Sequence, residues 1–269
     1  MAKFATTLPL NFPPTGRQNP APVTAGPLIL HIPHSSTWIP ARYRHIYLQP
    51  DRLDQDAALA ADLYTDQLYR YPAATLRFPV SRLLCDVERF RDPAAETMTR
   101  LGMWICYTRR MDGSELARFD NRHVREILQK YYDRHHALFT AAVAAKLQTS
   151  GRALIIDCHS FPARLPYYPP GDCPDICLGQ DAFHTPPSLL RTCCRYLETQ
   201  GYTVAVNFPF SGSIVPLTYY RQDGRVQSIM LEAARDLYAD GSHKKSPGFA
   251  RLATALRGLL ALLSRTTDL

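Results

Sequence analysis

Three strongly apolar runs that each break into polar residues at their ends constrain this chain more than any other feature: PLILHIPHSS, RALIIDCHS and RVQSIMLEAAR. Each reads as a short buried strand. Helical patterns separate them, which predicts an α/β fold with a largely parallel sheet. In such sheets ligands gather beyond the carboxyl ends of the strands. The polar stretches HIPHSS, DCHS, NFPFSG and LEAAR therefore mark where chemistry is expected.

The intervening pattern can be read in order. Residues 51–71, rich in Ala and Leu and stopping before Pro72, predict a helix. TLRF and SRLLCDV, split by Pro79, read as two strands, and 88–121 as a long irregular section. NRHVREILQKYYDRHHALFTAAVAAKLQTS repeats its apolar residues at three and four, the longest predicted helix, with Gly151 placed to end it. Residues 161–187 read as proline-rich loop. PSLLRTCCRYLETQ is a helix stopped by Gly201, YTVAVNFPF a strand, and a terminal amphipathic helix opens at Pro247. Residues 1–27 form a proline-rich arm, leaving 28–269 as a single α/β domain.

Composition narrows the function classes. Hydrophobic residues make up 46% and charged residues 20%, so a large buried core is expected rather than disorder. No run of about eighteen apolar residues predicts a membrane span, and no apolar stretch near the start suits an export signal. The expected compartment is the cytoplasm. Seven cysteines, an odd number, argue against a disulfide framework and for reduced thiols. Cys173 and Cys177 have metal-pair spacing, but no second pair follows at zinc-finger distance. The formal charge of +7 fits either nucleic acid or a small anionic substrate. The arginines are scattered beside acids, without a basic stripe, which disfavours nucleic acid.

Four polar motifs could carry chemistry. In HIPHSST, Pro33 ends regular pairing, so His34 can turn a neutral imidazole toward a metal or simply bond to backbone. In IIDCHS, alternation puts Asp157 and His159 on one face and Cys158 on the other. Asp157 can then orient a ligating His159, whereas a nucleophilic Cys158 would point away from that histidine. In DLYTDQLY, Asp62 and Asp66 lie one helical turn apart, as either a solvated face or a third ligand beside two histidines. Glu232 follows a very apolar strand, so it is either a proton shuttle with raised pKa or the partner of Arg235. Arg82 and Arg89 bracket Asp86, suiting capture of a substrate carboxylate or structural pairing; Asn207 could add a neutral donor.

Taken in order, HIPHSSTWIP, DLYTDQLY, SRLLCDVERF, GMWICYT, YYDRHHALF, IIDCHSFP, PDICLG, VNFPFSGSIVP and SIMLEAARDLY resemble the N-formylglutamate amidohydrolase family across about Leu28 to Asp240. The resemblance implies a three-layer α/β/α sandwich with a mostly parallel mixed sheet, phosphorylase/hydrolase-like and akin to zinc carboxypeptidases. It places His34, Asp62 and His159 on metal positions, for Zn2+ or another divalent ion, and Glu232 on the acid/base position. Arg82, Arg89 and Asn207 fall on substrate-contact positions, Arg235 on a supporting one, and His136 on a recurrent histidine grouped with the substrate site. Three motifs depart: PHSG is PHSS, D-x-N-R is Asp86-Val87-Glu88-Arg89, and E-x-N-R is Glu232-Ala233-Ala234-Arg235.

The expected reaction is metal-dependent hydrolysis of an N-acyl amino acid, N-formyl-L-glutamate or a close analogue, giving formate and the amino acid. Zinc would activate water and polarise the carbonyl, Glu232 would shuttle the proton, and Arg82 would stabilise the oxyanion. Two rivals remain at this stage. One is a zinc deacylase or peptidase acting on another acidic N-acyl amino acid or a short peptide; the other is a non-catalytic binding protein that keeps the fold.

Overall fold

The computed structural model describes residues 26–162 and 173–266. All but the end of the proline-rich arm lies outside the described residues, as does part of the expected 161–187 loop. The chain builds β1 (Leu28–Ile32), α1 (Ala41–Arg44), α2 (Leu53–Ala60), α3 (Thr65–Leu68) and β2 (Ala74–Arg77). After a long irregular excursion come α4 (Asn121–Ile127), one π-helical turn, α5 (Asp133–Ser150) and β3 (Ala153–Phe161). β4 (Ile176–Gly179), α6 (Pro187–Thr199), β5 (Val204–Val206), β6 (Val226–Ala234) and α7 (Gly248–Arg265) complete the order.

One six-stranded sheet runs β2-β1-β3-β6-β4-β5. All neighbours are parallel except β4 and β6. Helices cover both sides, giving the expected α/β sandwich. Alternation gives the two faces different characters. On one, Leu30, Ile156, Cys158, Ile229 and Leu231 pack with Leu189, Cys193, Leu256 and Leu259 of α6 and α7. On the other, Ile29, Ile155 and Val226 pack with Phe139 and Val143 of α5. Further along this second face come His31, Asp157, His159 and Glu232, whose positions share its period of two. Burying the strands on both sides makes their cores read as unbroken apolar runs.

Three expectations about elements need correction. The helix expected over 51–71 is two short helices, because Tyr64 takes a left-handed φ of 67°. The Asp62 N–H leaves the helical ladder and donates to the His34 carbonyl at 2.9 Å. Asp62 and Asp66 therefore do not share a helical face, and Asp66 pairs instead with Arg77 at 3.1 Å. SRLLCDV is no strand but a set of turns, with the N–H groups of Leu84 and Cys85 on the Ser81 carbonyl. Its apolar density serves a second core, formed by Val80, Leu84, Cys85 and Val87 with Tyr43, Ile105 and Ile127. Finally, β4 emerges within the stretch read as loop. As the antiparallel member, four residues long, it gave no pattern to find.

Candidate metal centre and active site

Strand register sets the first half of the site. His31 lies opposite Asp157 in the β1–β3 pair, and His159 opposite Glu232 in the β3–β6 pair. On one face, four functional side chains thus converge at the carboxyl end of the sheet. His31 Nδ1 lies 2.8 Å from Asp157 Oδ1, and His159 Nε2 lies 3.1 Å from the same oxygen. Behind this face, the Tyr69 hydroxyl lies 2.9 Å from the Leu231 carbonyl and 3.2 Å from that of His159, tying β3 to β6.

Loops supply the other half. Just past Pro33, His34 is buried and its Nε2 lies 2.9 Å from Asp86 Oδ1. A carboxylate only accepts, so Nε2 carries the proton and Nδ1 presents a lone pair. Among the described residues that Nδ1 has no hydrogen-bond partner, although it is buried. It lies 3.7 Å from Asp62 Oδ2, which is 3.0 Å from His159 Nδ1. His159 Nε2 already faces the acceptors Asp157 and Glu88, each at 3.1 Å. The His159 Nδ1 and Asp62 Oδ2 therefore need positive charge between them. Either a metal ion or a second proton on the ring supplies it; against burial, Glu88, Asp157 and Asp62 raise the ring's pKa well above its ordinary value. Two imidazole nitrogens and one carboxylate oxygen around an orphaned lone pair fit a divalent cation with a position left open.

Asp86 is the hub of the loop side. Its Oδ1 also accepts from the Glu88 N–H at 3.0 Å, and its Oδ2 from Arg82 Nη2 at 2.9 Å and the Tyr107 hydroxyl at 2.7 Å. Arg89 approaches the same oxygen at 3.5 Å and donates from Nε to the Met103 carbonyl at 3.1 Å. Burial alone would raise the Asp86 carboxyl; Arg82, His34 and Arg89 outweigh it and hold the group well below the usual range.

Glu232 behaves in the opposite way. Burial pushes its carboxyl up to about 8, Asp62 and Glu88 add to the rise, and His159 and Arg82 only partly oppose it. Its Oε2 is buried without a partner among the described residues. For Asp62, burial is outweighed by the imidazoles of His159 and His34 beside it, which hold its carboxyl below the usual range.

Arg235 and His136 support the shell, whereas no contact among the described residues brings Asn207 to it. Arg235 donates from Nη2 to the Ala61 carbonyl at 2.8 Å, immediately before Asp62, so it positions that ligand candidate rather than pairing with Glu232. His136 donates from Nε2 to the Val87 carbonyl at 2.9 Å, between Asp86 and Glu88. Burial pulls its pKa down to about 4, which keeps the ring neutral. Asn207 sits exposed past edge strand β5 with φ at 56°, its side-chain oxygen accepting from the Gln180 N–H at 2.9 Å. Cys158 faces the apolar layer, away from His159, and all seven cysteines are free. Cys177 is buried in β4 with its thiol on the Phe210 carbonyl.

Sequence reasoning undervalued several residues. Glu88 was visible only as a departure from a motif, yet its carboxylate enters the site. The hub role of Asp86 and the bond from His31 Nε2 to His135 Nε2 at 2.9 Å join residues 52 and 104 positions apart, beyond any local pattern. The arginines on both sides of Asp86 were the one readable signal.

Comparison with known proteins agrees along the chain. The family model for N-formylglutamate amidohydrolase matches residues 26–239. An N-formylglutamate deformylase from Pseudomonas aeruginosa is 26% identical over 228 residues, covering 80% of this chain and 82% of its own. The crystal structure of N-formylglutamate amidohydrolase from Ralstonia eutropha JMP134 matches with a TM-score of 0.76 and 26% identity, over 90% of this chain and 95% of that one. A gene product from Agrobacterium tumefaciens shares the fold at a TM-score of 0.63 and 20% identity, over 89% and 90% of the two chains.

Proposed function

As the chain belongs to the N-formylglutamate amidohydrolase family, we propose that it hydrolyses the amide of an N-acyl amino acid, N-formyl-L-glutamate or a close analogue, with one divalent metal, zinc, held by His34, Asp62 and His159. The observation that carries the reading is the orphaned, buried His34 Nδ1 facing Asp62, beside His159, with Glu232 paired across the strands from His159.

Bound there, zinc supplies a Lewis acid for the scissile carbonyl and for water. The chain's own groups do the rest. Asp86 fixes the His34 tautomer, Asp157 orients His159, and Arg235 holds the backbone before Asp62. Glu232 sits in a dry pocket where its carboxyl holds a proton near neutrality; added positive charge beside it lowers that pKa, so it can take a proton from attacking water and return it to the leaving amine. Arg82, whose guanidinium lies on Asp86, stabilises the oxyanion, and Arg89 and Asn207 contact the substrate carboxylate. Holding water, carbonyl and proton shuttle in one cleft removes most of the entropic barrier.

One experiment tests the reading directly. Glu232→Gln should lose at least 100-fold in formate release from N-formyl-L-glutamate while retaining parental zinc. Loss of zinc in that variant would make Glu232 a ligand and overturn its role. A second reading, another N-acyl amino acid as substrate, is favoured by Glu88, an acid that stands 3.1 Å from His159 where the family pattern carries asparagine. A panel of N-formyl and N-acetyl amino acids of differing charge separates the two.

A further inference from the structure

Glu88 joins two donor groups rather than one. His34, Glu88 and His159 offer ligand atoms all within 4.8 Å of one another, and so do His31, Glu88 and Asp157. The two Glu88 oxygens divide between them: Oε2 lies 3.8 Å from His34 Nδ1, whereas Oε1 lies 3.1 Å from His159 Nε2 and 3.7 Å from His31 Nδ1. Asp157 Oδ1 closes a ring with the same two nitrogens, at 2.8 Å and 3.1 Å.

His31 Nδ1, Asp157 Oδ1 and Glu88 Oε1 have the spacing of a coordination shell. Donors about 2.0–2.1 Å from a central ion are separated by about 3.3–3.4 Å in a tetrahedron and about 2.8–3.0 Å along the edges of a square. The His31 nitrogen lies 2.8 Å from the Asp157 oxygen and 3.7 Å from the Glu88 oxygen. Charge argues in the same direction. One ion on His34, Asp62 and His159 leaves the Asp157 and Glu88 carboxylates sharing the His159 Nε2 proton, while Arg82 and Arg89 are directed at Asp86. Two carboxylates that share one donor are stabilised by a cation between them. Glu88 is also the member of this ring that reaches solvent, its side chain 16% exposed against 3% for Asp157 and none for His31, so it stands at the mouth by which an ion could enter.

We propose that this chain holds a second divalent cation, bound by His31 Nδ1, Asp157 Oδ1 and Glu88 Oε1, and that the Glu88 carboxylate bridges it to the ion of the proposed active site. The inference rests on the mononuclear reading above and extends it to a two-metal centre. One imidazole nitrogen and two carboxylate oxygens suit a borderline ion such as zinc. The glutamate that replaces the family's asparagine supplies the bridging oxygens.

The test counts metal, not turnover. The full chain is stripped with a chelator, dialysed against zinc alone, and bound zinc per chain is measured by mass spectrometry. Two ions per parent chain are expected, with one in Glu88→Asn and one in His31→Gln. Circular dichroism checks the fold of each variant, and Glu88→Asn, changed at the partly exposed position, decides the matter alone should His31→Gln fail to fold. A parent chain that saturates at one zinc overturns the second site and leaves the proposed function standing. A parent chain that binds none overturns both. Two zinc ions retained in Glu88→Asn overturn the bridge.

Discussion

The strand-borne and loop-borne halves of the site reach the same cleft by different means. His31, Asp157, His159 and Glu232 are placed by hydrogen-bond register between β1, β3 and β6, so their spacing follows from backbone pairing. His34, Asp62, Asp86 and Glu88 have no ladder to hold them. They depend on side-chain bonds to one another and on a few backbone carbonyls, with Asp86 accepting from most of its neighbours. The first half should tolerate substitution of its apolar neighbours, whereas the second should fail with its hub.

The largest effect is therefore expected at Asp86. Asp86→Ala leaves the half-buried Arg82 guanidinium and the Tyr107 hydroxyl without their acceptor and releases His34 Nε2. Breaking a buried ion pair from one side costs about 3–5 kcal/mol. Thermal unfolding should move down by on the order of 10 °C. Zinc affinity should weaken about 10–100-fold, as follows when the group orienting a ligating histidine is lost. Wild-type affinity in a folded Asp86→Ala protein would show that the loop half needs no hub.

An intermediate effect is expected from His136, which holds the Val87 carbonyl between Asp86 and Glu88. Its folded pKa of about 4 lies below the ordinary 6.5. Between those values the unfolded chain binds the proton and the folded chain does not, so stability falls as pH drops from 6.5 toward 4. The loss should reach about 1–3 kcal/mol. His136→Gln keeps an N–H donor but does not titrate, so in urea unfolding of the metal-free protein it should lose less stability than the parent between pH 7 and 5. Parallel curves for the two proteins would free the loop from this histidine.

The same contrast explains what could be read from the sequence. Strands buried on both faces announce themselves as apolar runs, and the period of two separated Asp157 and His159 from Cys158 without a structure. The resemblance placed His34, Asp62 and His159, which the fold brings together. Tertiary bonds override local propensity elsewhere: Asp62 leaves its helix because its N–H meets the His34 carbonyl, and SRLLCDV is apolar because turns can be buried as deeply as strands. The hub at Asp86 was half legible, since arginines around an acid signal pairing but not which group the acid orients. The place of Glu88 was not legible, because only the crossing of β1, β3 and the loop after β2 sets its distance from His159.

The smallest effect is expected at Cys158, and it tests the strand half by its silence. The thiol is fully buried in the layer under α6 and α7, donates to the Ile156 carbonyl at 3.2 Å, and is pushed well above its ordinary pKa by burial and the nearby Asp157. It is therefore uncharged and turned away from the cleft, unfit as a nucleophile. Cys158→Ala removes one sulfur from a packed core and should cost about 1–2 kcal/mol. The backbone of β3 stays paired on both sides, so Asp157 and His159 keep their places, and turnover should remain within twofold of the parent at 25 °C. A folded Cys158→Ala protein that binds zinc normally but turns over tenfold slower would mean that the two faces of β3 are not independent, and that register alone does not place the strand-borne groups.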